Sequence, residues 1–192
     1  MAAQAQESRL TDLFEAARTA ADSGRGLPPV QSWNPPHCGD IDIRIAGDGA
    51  WFHEGAPISR PALVRLFSTV LRKDPDGFCL VTPHEKLRIH VEDAPFVAIR
   101  VDRDGGALRF TTNVGDEVEA DPEHPIRVQT DAAGEPRPYV HVRGGLEALI
   151  ARPVFYELVG MAEERPTPAG LELGVASNGA WFPIGLVEAE VA

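Results

Sequence analysis

Three glycine-centred turns constrain this chain more than any other feature: Gly47-Asp48-Gly49, Asp104-Gly105-Gly106 and Asn178-Gly179. Each stands between short apolar stretches, and such dipeptides supply the positive φ angles of a tight β-hairpin. Before the first turn, Ile41, Ile43 and Ile45 alternate with Asp42 and Arg44, a half-buried strand, and Ala50-Trp51-Phe52-His53 returns. Phe96–Val101 and Leu108–Thr112 flank the second turn, and the third lies within Leu171–Ile184. With 18 Gly and 17 Pro, the rest of the chain is punctuated too often for long helices.

Between the hairpins the pattern is mixed. Leu10, Leu13, Phe14 and Ala17 recur at helical spacing over residues 8–22, with Ser8 as cap, a narrow stripe expected to dock on the body of the protein or, as the alternative, on a second subunit. Residues 23–40 are rich in proline and glycine and read as an extended, unpaired arm anchored by Trp33. Ser59 caps a helix over about residues 60–73, with Leu63, Leu66, Phe67, Val70 and Leu71 on one face and Arg72 and Lys73 in its last turn. Strands follow at Phe78–Thr82, Glu85–Val91, Ile126–Gln129 and Tyr139–Val142. Leu146 to Met161 reads as helical material broken at Pro153, and a loop carries Pro166 and Pro168.

The last hairpin repeats the first. Ile43 to Gly55 is IRIAGDGAWFHEG and Leu173 to Gly185 is LGVASNGAWFPIG, with a shared turn chemistry. The repeat predicts an internal duplication in which the two hairpins superpose and Trp51 matches a buried Trp181. The expected fold class is α+β, with two related, mostly antiparallel β subdomains. Residues 1–26 form a helix and linker, 27–95 the first subdomain, and 96–192 the second, β-rich one.

Composition narrows function by exclusion. The net charge of −11 disfavours duplex DNA and anionic membranes as partners. Two cysteines, Cys38 and Cys79, are too few for a disulfide scaffold or thiolate zinc site and suit a reducing compartment. No secretory leader or membrane-spanning stretch is visible, so a cytoplasmic protein is expected. Arg outnumbers Lys 16 to 2, which suggests a GC-rich bacterial genome. The scattered histidines lack metal-site spacing, no phosphate loop or nucleophile elbow occurs, and no cofactor is expected. Cys79 lies in an apolar strand as an inert thiol, and Cys38 beside His37 is the more reactive candidate.

The stretches LPPVQSWNPPHCGDIDIRI (27–45), Asp48–Leu71, LVTPHEKLRIHVEDAPF (80–96) and YVHVRGGLEALIARPVFYELVG (139–160) together resemble the bacterial domain-of-unknown-function family 1285, over about residues 27–187. His84 departs from the pattern, standing where an apolar residue is expected. The resemblance implies a duplicated α+β core, a C-terminal half loosely similar to a pleckstrin-homology-like roll, and a nucleotide-type ligand cleft between the halves with a signalling role. It carries over no catalytic residues.

The residues themselves offer one candidate surface. His84, Lys86, Arg88 and His90 alternate with Leu87, Ile89 and Val91, which places the polar set on one strand face over roughly 20 Å. Residues 57–110 carry a net charge of +2, whereas the remainder sums to −13. A small anion would find its most favourable potential there. Arg44 and Arg60 are expected to border the same sheet. Glu92 and Asp93 form a carboxylate pair at a strand end that can orient Arg88 or Arg100, the commoner outcome, or act on a substrate. The expected ligand-binding set is Arg44, Arg60, His84, Lys86, Arg88, His90 and Asp93. The expected function is non-catalytic binding of a small anionic, nucleotide-type ligand, with a protein partner also open. One rival is an enzyme using Asp93 or His90 as base; another is a protein–protein interaction module.

Overall fold

The computed structural model describes residues 11–19, 21, 26–168 and 170–187. The chain divides into two compact units, Met1–Asp93 and Ala94–Ala192.

In the first unit, β1 (His37–Ile45), β2 (Trp51–His53), β3 (Ala56–Pro57), β4 (Leu71–Asp74), β5 (Gly77–Val81) and β6 (Glu85–Val91) form one six-stranded sheet in the order β3-β2-β1-β6-β5-β4. It consists of two antiparallel meanders joined through the parallel pair β1–β6. The alternation of Ile41, Ile43 and Ile45, and of Leu87 and Ile89, buries these side chains on one face. Helix α1 (residues 11–19) sets Leu13 and Ala17 one turn apart and buries both fully, which fastens it to its own unit. Its expected Ser8 cap and Leu10 lie outside the described residues. Helix α2 (Pro61–Thr69) places Phe67 in the core against Trp51, ring centroids 6.4 Å apart.

Several expectations for this unit need correction. Helix α2 begins with Pro61 in its first turn behind Arg60, not on a Ser59 cap, and ends at Thr69. Leu71, Arg72 and Lys73 are strand residues paired with Leu80, Cys79 and Phe78. An apolar Leu71 satisfies either period, and tertiary pairing decides between them. The arm also gives way to strand sooner than expected. After Pro36 the backbone regains its N–H donors, and His37, Cys38 and Gly39 already pair with Glu85, Lys86 and Leu87.

The second unit repeats this topology. Strands β7 (Phe96–Asp104), β8 (Ala107–Thr112), β9 (Glu117–Glu119), β10 (Ile126–Thr130), β11 (Pro136–Arg143) and β12 (Leu146–Ile150) run in the order β10-β11-β12-β7-β8-β9. Again two meanders meet through a parallel first and last strand, here β7 and β12. The mostly-β chain therefore holds two related sheets. The structural counterpart of residues 37–91 is 96–150, so the β1–β2 hairpin corresponds to β7–β8.

Leu146, Ala148 and Ile150 are buried at period two, which makes this stretch a strand where a helix was expected. Helix α3 (Arg152–Gly160) follows, and Pro153 opens it where a break was expected. A three-stranded sheet of β13 (Glu163–Thr167), β14 (Gly170–Ser177) and β15 (Ala180–Val187) completes the unit. Pro166 hides β13 in the sequence but is tolerated because β13 is an edge strand.

The matching letters of the first and last hairpins do not make matching structures. Ala46 and Ala50 close a three-residue loop in which only Gly49 takes a positive φ, +83°. In the last hairpin Ser177 pairs with Ala180 around a two-residue loop, with φ +48° at Asn178 and +77° at Gly179. Ile45 thus faces Trp51, whereas Ala176, not Val175, faces Trp181. A one-residue offset exchanges the two faces of a strand. Trp51 is buried, but it is Phe182 that is buried in the last hairpin, and Trp181 is half-exposed. The tip of that hairpin has its own task. The buried Ser177 hydroxyl accepts from Leu108 N–H at 2.8 Å and donates to Ala120 C=O at 2.7 Å, which stitches the small sheet to β8.

Candidate functional site

Strands β1 and β6 bring part of the expected set together. Lys86, Arg88 and His90 occupy the polar face of β6, and Arg44 lies opposite His90 on β1. Each of the three basic side chains in this row meets a carboxylate. Arg88 Nε donates to Asp40 at 2.7 Å, Lys86 Nζ lies 3.0 Å from Asp74, and Arg44 pairs with Glu92. Glu92 also accepts the Gly47 N–H at 3.0 Å, and this bond, ahead of Arg44, lowers its pKa. The hydrogen bond from Arg88 likewise holds the Asp40 carboxyl below its usual range.

Other members of the set stand apart. His84 sits in the bend before β6 and is exposed, so it does not share the strand face. Arg60 precedes α2 and lines a small apolar cavity with Thr11, Phe14, Ala62 and Leu63, away from the β6 row expected around it. Asp93 follows β6 and is half-buried. Glu92 and Asp93 do not act as the expected clamp: Arg88 is held by Asp40 and Arg100 by Asp102.

The most ordered polar cluster was invisible in the sequence. Arg72, expected at a helix end, lies on β4 with a nearly buried guanidinium that donates through three nitrogens. Nε and Nη2 reach the two oxygens of Asp74 at 2.7 and 2.9 Å, and Nη1 reaches Val30 C=O at 2.9 Å and Trp33 C=O at 2.8 Å. The arm is therefore held by its carbonyls, and Trp33 itself is only half-buried. The Arg72 hydrogen bonds, aided by Lys86 and opposed by burial, depress Asp74 to about 2. Beneath this cluster Cys79 is buried, and desolvation pushes its thiol up to about 11. Cys38 is exposed.

Trp51 and Trp181 do not offer stacking platforms. Trp51 is in the core, and one face of Trp181 lies on the Gly174 backbone, where a Cβ would come within 2.4 Å of its ring. Arg165 covers Trp181 at 3.5 Å, and the indole Nε1 donates to Glu172 at 2.7 Å. Among the described residues no group of three or more His, Cys, Asp or Glu side chains is placed to hold a metal ion. None of the helices described is long and apolar enough to cross a membrane.

Two family models divide the chain as its units do: the DUF1285 N-terminal domain, of unknown function, matches residues 28–94, and the DUF1285 C-terminal domain matches 95–184. The chain belongs to the DUF1285 family. A crystal structure of a DUF1285 family protein from Silicibacter pomeroyi DSS-3 is 50% identical, covering 91% of this chain and 95% of its own, with a TM-score of 0.80. A second, from Shewanella baltica OS155, is 26% identical over 62% of this chain and 90% of its own, with a TM-score of 0.53. No curated protein matches the chain.

Proposed function

We propose that this DUF1285 protein is a non-catalytic binding module for a small anionic ligand, held by Arg88, Lys86 and Arg44 on the polar face of β1 and β6. One observation carries the reading. In a protein of net charge −11, these cations share one sheet face, and the Arg88–Asp40 pair at its centre is 57% and 69% exposed. Such a pair is exchangeable, because water already competes for both partners. A phosphate oxygen pair can replace the Asp40 carboxylate at the guanidinium, with Lys86 as a neighbouring point charge. His90 flanks the row opposite Arg44. A nucleotide-type ligand, a signalling role in the cytoplasm and a loosely pleckstrin-homology-like C-terminal unit are parts of the same reading. The last is supported by the six-stranded sheet, the smaller sheet stitched to it and helix α3.

Calorimetric titration of wild type and Arg88→Ala with AMP and pyrophosphate tests the site. The expected result is binding that weakens about tenfold or more in the variant, with an unchanged denaturation midpoint. Equal affinities would remove Arg88 from the site. Turnover of either compound would replace the binding module with an enzyme.

A further inference from the structure

At one end of the C-terminal six-stranded sheet, a cavity of 490 Å³ opens between the β10–β11 loop, the end of β12 and the start of α3. We propose that it binds a small monocarboxylate with a flat apolar body. The volume lies within the roughly 300–1,000 Å³ of small-molecule sites. Its apolar lining comes from Leu149, Ile150 and Phe155, and Tyr156 stands at the cavity 63% exposed. An aromatic ring or branched alkyl group would cover that side chain and remove both surfaces from water.

Polar groups set the head of the ligand. Arg137 and Arg152 line the same cavity, and Arg152 Nη2 lies 3.1 Å from Glu135. Both partners of that pair are more than 60% exposed, so an incoming carboxylate can take the place of Glu135. Asp131 serves a different purpose. Its Oδ1 accepts the N–H groups of Ala133 and Glu135 at 2.8 and 2.9 Å, which shapes the loop before any ligand arrives. The four charges, Asp131 and Glu135 against Arg137 and Arg152, balance. Displacing one carboxylate leaves one net positive charge, which a monoanion neutralises and a phosphate dianion exceeds. This ligand class differs from that proposed for the Arg88 face, and the two sites stand or fall separately.

The test is an amide-resolved NMR titration of the full chain with phenylacetate and indole-3-acetate. Phenylacetamide serves as the neutral isostere and inorganic phosphate as the competing anion. Shifts centred on residues 131–138 and 149–156 are expected, saturating at about 1–5 mM. Phenylacetamide in place of phenylacetate, Arg152→Ala and Tyr156→Ala should each weaken binding at least about fivefold. Arg88→Ala should leave this affinity unchanged. Both mutated positions are exposed, and the unperturbed parts of each spectrum report that the variants are folded. The assignment is overturned by absence of shifts at about 20 mM, by equal binding of the amide, or by tighter binding of phosphate. It is also overturned if Arg152→Ala and Tyr156→Ala both retain wild-type affinity.

Discussion

In the β1–β2 hairpin, Trp51 is buried against Phe67; in the β14–β15 hairpin, Trp181 lies half-exposed between the Gly174 backbone and Arg165. The two segments share Ala-Trp-Phe after a turn glycine, yet one extra loop residue in the first hairpin offsets the pairing and exchanges the faces. The exposed aromatic of each pair then takes an arginine: Arg44 lies 4.3 Å over the Phe52 ring, as Arg165 lies over Trp181. Turn length, not residue identity, decides which ring enters a core. The largest test of this contrast is truncation of both rings. Trp51→Ala should cost about 3–5 kcal/mol, as for a large aromatic in a packed core. Trp181→Ala should cost about 1–2 kcal/mol, because it loses a cation–π contact and part of its packing. Urea denaturation of both variants measures the difference, and equal losses would mean that both rings are core residues.

The next contrast lies at aligned positions just before the turn glycine. Ser177 is buried and bonds both Leu108 N–H and Ala120 C=O, whereas Gly47 is a half-buried loop residue whose N–H is held by Glu92. Ser177→Ala should therefore cost about 1–3 kcal/mol by leaving the buried Leu108 N–H unpaired, while Ala120 C=O keeps its bond from the Asn178 side-chain amide. Gly47→Ser should stay within about 0.5 kcal/mol, since a Cβ there meets nothing closer than 4.0 Å. A comparable loss at both positions would break the distinction between a loop residue and a stitch.

How far the sequence reveals this molecule depends on whether a signal is local. Alternation exposed β1 and β6 because Ile41, Ile43, Ile45, Leu87 and Ile89 each meet one core face, and turn dipeptides located β7–β8 and β14–β15. Where apolar spacing suited two periods, as at Leu71 or at Leu146 to Ile150, only pairing with distant strands settled the choice. Residue identity points the duplication to the wrong pair of segments. Shared letters linked 43–55 to 173–185, while the true equivalence of 37–91 and 96–150 resides in strand order and leaves little trace in residue identity. Lys86 and Arg88 were legible as a face, but their partners Asp74 and Asp40 arrive from other strands. The Arg72 cluster and the C-terminal cavity bear no motif, since their parts meet only after folding.

Two ion pairs on one sheet give a smaller contrast. Asp74 sits at about 2, against an ordinary value of 3.8, chiefly through its Arg72 hydrogen bonds. A carboxyl lowered in the folded state stabilises above its unfolded pKa, and that contribution fades as pH falls from about 3.8 through about 2. The advantage of wild type over Asp74→Asn should be at most about 2 kcal/mol at pH 7 and shrink progressively through that window. Asp40→Asn, at the exposed Arg88 pair, should shift the midpoint in the same sense but far less, because water screens that pair. An Asp74 effect that is independent of pH would assign its role to shape and hydrogen bonding without charge.

The finest contrast is between the two thiols. Cys38 is exposed, whereas Cys79 is buried, its Sγ 3.6 Å from Arg72 C=O and its thiol pushed up to about 11 by desolvation, with Asp74 adding to the rise. The thiolate is the reacting species, so at pH 8 only about one Cys79 in a thousand is ionised, and its side chain is buried in the folded chain. A disulfide reagent such as Ellman's should therefore titrate one thiol at once and the second only as denaturant opens the unit. Arg72→Met sharpens the point. It removes the guanidinium that holds the carbonyls of Val30 and Trp33 and pairs with Asp74, so the second thiol should react faster at equal denaturant. Two fast thiols in the wild type would show that the arm does not shield Cys79. A second phase unmoved by Arg72→Met would show that the β5 core alone protects it.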